Sequence, residues 1–283
     1  MKPEGCKIDS SPDTCLLLAD TAKRNLGVLD KRVPELFKEL LEFVGDVYNI
    51  SAEFKFDGNS LLEFGYFNVI EPNSFYLPYL LLQCAIPQFL YTMRLIMETL
   101  MSGIYADIAV IGREPDPSLH NKLIMYASRF SMSNLVSPRE FGEYYAQVVR
   151  RIEEPLRWLM DDLGLESGGL VNYVYLIYDE LSKLLHPVTT MGGKLFLGVV
   201  IDAYLAYGKY GFPANRHIYL PAECDEVDEA WLRTLRNYTR HMRFVLYTMT
   251  YSWAVNTGLM ETKGLETLKQ KIKNLVNANK VMP

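Results

Sequence analysis

Three groups of residues in this chain combine types and spacings that could do chemistry. The first is Arg94 with Glu98, an i, i+4 pair on one helical face of the apolar run YTMRLIMETLMSGIYAD, residues 91–107. Leu95, Ile96, Met97, Leu100 and Met101 around the pair imply burial. A buried guanidinium–carboxylate pair has two readings. It holds helices in register, because removing one partner is costly, or it lines a polar pocket for a small ligand together with Ser102 and Tyr105. The second group is a stripe of Tyr175, Asp179, Ser182 and His186, with Tyr178 beside it, on a helix stopped by Pro187. Ser182 and His186 are close enough to touch, yet no oxyanion hole or strained nucleophile turn accompanies them, which argues against a hydrolase triad. A histidine in a helix's last turn is also favoured by the helix dipole alone. The third group is Arg233, Arg236, Arg240 and Arg243, one basic stripe at i, i+3, i+7 and i+10. Such a stripe binds phosphates or pairs with carboxylates, for which Asp161, Asp162 and the Asp225–Glu229 cluster are candidates.

Other chemistries lack their residues. There is no HExxH, no GxGxxG and no P-loop lysine motif, and carboxylates at di-iron spacing are missing, so neither a metal nor a cofactor is expected. Cys6, Cys15, Cys84 and Cys224 are scattered without CxxC spacing; this disfavours zinc and leaves any pair open to a disulfide. The net charge of −5 supplies no general attraction to nucleic acid, so an RNA would have to be met by a local basic face.

The elements that must position these residues are helices. Residues 1–13 read as a flexible polar lead, and 14–283 as one large helical domain. Apolar residues at helical spacing predict two helices between 14 and 49, broken near Asp30–Val33. Asp57-Gly58 between two apolar-rich runs predicts a β-hairpin near 53–69. A long apolar helix, kinked or restarted at Pro87, follows over 74–111. Helical patterns then recur at 118–134, 138–163, 170–186, 193–207, 227–257 and 265–279. The fold class is therefore all-α or nearly so, a multi-helix bundle with one small hairpin. Residues 72–93 carry no formal charge, but their prolines, glutamines and tyrosines favour a buried helix over a membrane span. The N-terminal residues lack an apolar signal core, and the expectation is a cytoplasmic protein without a membrane partner.

Arg94-x3-Glu98 in an apolar helix, followed by Tyr178-x2-Leu181-Ser182-x3-His186-Pro187, resembles divergent members of the HEPN superfamily, all-helical proteins of prokaryotic defence and toxin systems. Arg236-Asn237-x3-His241 independently resembles that superfamily's catalytic pattern. The resemblance implies metal-independent RNA cleavage at a homodimer interface. His241 would assist deprotonation of a 2′-hydroxyl, and Arg236 would stabilise the charged phosphorane. Many divergent relatives lack the catalytic pair and serve as non-catalytic interaction or scaffold modules. RNA and a second copy of the chain are thus the expected partners.

Overall fold

A computed structural model describes residues 12–54, 60–111, 157, 159, 161, 224–227 and 229–277, and among these no strand occurs. Helix α1 (Pro12–Arg32) and helix α2 (Leu36–Ser51) are separated at residues 33–35, just beyond the predicted break. There Glu35 takes a left-handed φ of 73°. Short helix α3 (Leu61–Gly65) leads through a π-helical turn (Tyr66–Ile70) into α4 (Glu71–Leu82). Helix α5 (Ile86–Ile111) restarts the apolar segment with Pro87 in its first turn, where a missing N–H costs nothing. A 3-10 turn (Cys224–Glu226) precedes the long α6 (Glu229–Thr257), and α7 (Thr262–Asn277) folds back on it.

The expected hairpin at 53–69 is overturned by its second arm. Residues 61–70 are helical; 55–59 lie outside the described residues. The physical reason is a helix-start signal that outweighs the Asp-Gly turn. Ser60-Leu61-Leu62-Glu63 has the form of a capping box, and Ser60 Oγ accepts from the Glu63 N–H at 3.0 Å. Asp107, reaching over from α5, accepts from the N–H groups of Leu61 and Leu62 at 2.7 and 3.2 Å. The apolar residues then follow the helical period: Leu62, Tyr66 and Ile70 are buried, while Phe64 is exposed.

The core lies where α5 and α6 pack together, with α2 and α4 closing its sides. Glycine permits the closest approach. A Cβ on Gly103 of α5 would stand 2.8 Å from the Leu62 Cα, so α3 rests directly on the α5 backbone. Asp107 binds this layer to α6 as well, since it also accepts from Ser60 Oγ at 2.7 Å and from the Trp253 indole N–H at 2.8 Å. Burial pushes the Asp107 carboxyl up, and these donors pull it part of the way back. Among the described residues no helix is long and apolar enough to cross a membrane. The expected helices at 118–134, 170–186 and 193–207 lie outside the described residues, as does nearly all of 138–163.

Candidate functional site

Helix α6 carries the arginine stripe because its opposite face is apolar: Leu232, Leu235, Met242 and Val245 are buried in the core. The polar side does not face solvent along its whole length. It meets a row of carboxylates at matching intervals, Glu35 at the N-cap of α2 and Glu39, Glu42 and Asp46 within it, against Arg236, Arg240, Arg243 and Tyr247. Both rows advance by four, three and four residues, and the partner numbers rise together, so α2 and α6 run parallel.

The register repeats. Glu39, only 1% exposed, accepts from Arg236 at 3.1 Å and from Arg240 at 2.6 Å, residues 197 and 201 positions further along the chain. One heptad later Asp46 accepts from Arg243 Nε at 2.6 Å and from the Tyr247 hydroxyl at 2.7 Å, at the same separations of 197 and 201. Each buried carboxylate is therefore clamped by two donors one turn apart on α6. Glu35 lies 3.5 Å from Arg236, and Glu42 takes the other arm of Arg243. Burial works against the Arg243 charge, but Asp46 and Glu42 more than restore it and hold its pKa above the ordinary arginine value. Burial, with the Asp46 charge adding to it, raises the Tyr247 hydroxyl well above the usual phenol range and keeps it a donor.

This arrangement bears on the carboxylate-pairing reading of the basic stripe. Arg236, Arg240 and Arg243 pair with α2, a set of partners that sequence reasoning missed; the candidates had been Asp161, Asp162 and the Asp225–Glu229 cluster. Among the described residues, Arg233 alone of the stripe pairs within that cluster, on the exposed side chain of Glu229. The signal was present in the 35/39/42/46 spacing, which mirrors 236/240/243/247.

The remaining expectations divide. Arg94 and Glu98 do meet, Nε to Oε1 at 2.8 Å, and both are 0% exposed, so they sit in the core as a buried pair one turn apart on α5. The side chain of Tyr105, and all of Tyr178, Ser182 and His186, lie outside the described residues. Arg236, Asn237 and His241 stand on one continuous helix. Residues five apart on such a helix diverge by about 140°. Asn237 is exposed, whereas His241 is half-buried and burial lowers its pKa below the ordinary histidine value. Arg236 is turned toward α2. Within one copy of the chain, then, the three do not converge on a common point. Among the described residues no cluster of His, Cys, Asp or Glu is arranged to hold a metal ion.

No family model matches the chain, and neither a curated protein nor a solved structure does.

Proposed function

We propose that this chain is a non-catalytic, HEPN-like helical interaction protein that works as a cytoplasmic scaffold and self-associates. The observation that carries this reading is the double engagement of Glu39 by Arg236 and Arg240. An arginine meant for a phosphorane must present unshared donors to the substrate, and here the donors face a buried carboxylate. An aromatic face adds support: Phe75, Tyr76 and Tyr79 on α4 are 47%, 55% and 67% exposed, the composition favoured at protein interfaces. Sedimentation at micromolar concentration is expected to give a dimer, and Tyr79→Glu to weaken it. A monomeric wild type would refute self-association.

A second reading, metal-independent RNA cleavage at Arg236, Asn237 and His241 in a prokaryotic defence system, draws on the state of His241. Its lowered pKa keeps the imidazole neutral near pH 7, the form a general base needs. Cleavage of single-stranded RNA in excess chelator separates the two readings. The scaffold reading expects no difference between wild type, His241→Ala and Asn237→Ala. Cleavage by the wild type that both variants abolish would establish the nuclease instead.

A further inference from the structure

Helix α4 ends in a Schellman motif. The Cys84 N–H donates to the Leu81 carbonyl and the Ala85 N–H to the Leu80 carbonyl, both at 2.9 Å. The motif needs a left-handed residue just after the C-cap, and Cys84 supplies it with a φ of 49°. Glycine is the usual occupant there, because any Cβ is strained in that conformation. A cysteine in that place brings only its sulfur as compensation. That sulfur is bonded to Cys224, 140 residues along the chain, with the Cα atoms 5.5 Å apart.

The surrounding hydrogen bonds converge on the same joint. Asn25 of α1 is fully buried; it donates to the Leu82 carbonyl at 2.9 Å and accepts from the Cys224 N–H at 3.1 Å. Arg32 donates to the Cys224 carbonyl at 2.7 Å. The end of α4, the start of α5, the middle of α1 and the turn that launches α6 therefore meet at one buried cross-link.

We infer that Cys84–Cys224 is a redox-dependent lock on the head of α6. When it closes, the two thiols give up two protons and two electrons to a disulfide-class oxidant, which leaves as two thiols. The new S–S bond fixes the Cys224 turn on the α4–α5 junction. Reduction by a dithiol reverses the exchange and releases that turn, while the α2–α6 ion pairs further along the helix stay closed.

Peptide mapping of the full-length protein without reductant is expected to recover Cys84 and Cys224 in one cross-linked fragment. Closing a loop of this length in a 283-residue chain corresponds to a Tm shift of about 8 °C, so Cys224→Ala is expected to melt lower by about that amount. Cys84→Gly provides a test by sign. It loses the bond but relieves the left-handed strain, so its Tm falls less than that of Cys224→Ala yet still falls. On reduction, hydrogen exchange is expected to quicken at Cys224, Asp225 and the first turn of α6, and to stay unchanged at Arg240 and Arg243. Free thiols at both positions, a Cys84→Gly variant that melts higher than wild type, or exchange insensitive to reduction would each overturn the lock.

Discussion

Replacing Glu39 with glutamine removes one negative charge and leaves the shape nearly intact. Its effect can be worked from the geometry. Breaking a fully buried ion pair on one side costs about 3–5 kcal/mol. Here the carboxylate is buried, but the side chains of Arg236 and Arg240 are 27% and 26% exposed, so water recovers part of the loss. Glu35, 3.5 Å from Arg236, recovers a little more. The expected destabilisation is about 2–3 kcal/mol, a fall in Tm of about 3–5 °C for a chain of this size. Arg233→Gln is the control. Its side chain is 71% exposed and its pair with Glu229 is a surface one, worth under about 0.5 kcal/mol. Urea denaturation and calorimetry on both variants give the comparison. A Glu39→Gln protein no less stable than Arg233→Gln would refute the idea that the α2 carboxylates hold the arginine stripe.

Gly103→Ala is expected to lose about 1–3 kcal/mol in urea denaturation, because its Cβ meets the Leu62 backbone at 2.8 Å. Gly27→Ala, with nothing within 4 Å and a helical position in α1, is expected to gain about 0.5–1 kcal/mol. His241 makes stability depend on pH with a definite sign. Its folded pKa lies below the unfolded value near 6.5, so its contribution is full above that pH and is lost as acidification carries the solution down toward the folded pKa. Wild type should therefore lose more Tm between pH 7.5 and 5 than His241→Gln does, and equal losses would contradict the burial argument.

The helical class and the positions of α6 and α7 were legible because apolar residues at 3.6 spacing dominate both segments. The break before α2 was legible from apolar spacing to within a few residues, and the restart at Pro87 from proline chemistry. The hairpin misled because Asp57-Gly58 is a loud local signal, whereas Ser60-x2-Glu63 is quiet, and two of the three side-chain-capped N–H groups of α3 are met by Asp107, 46 residues beyond Leu61. Arg94 and Glu98 were recognisable as a pair because both lie on one helix turn. The partners of the arginine stripe were not: the matching spacings of the two rows are visible, but partners about 200 residues apart are brought together by packing, and nothing local says which distant helix meets which. The Cys84–Cys224 pairing was hidden for the same reason.

The α2–α6 register is tested most directly by a double-mutant cycle on Glu39 and Arg240, using Glu39→Gln, Arg240→Gln and both together in urea denaturation. A buried, doubly engaged carboxylate predicts a coupling of about 1–3 kcal/mol. Strictly additive losses, with no coupling between the two positions, would contradict it.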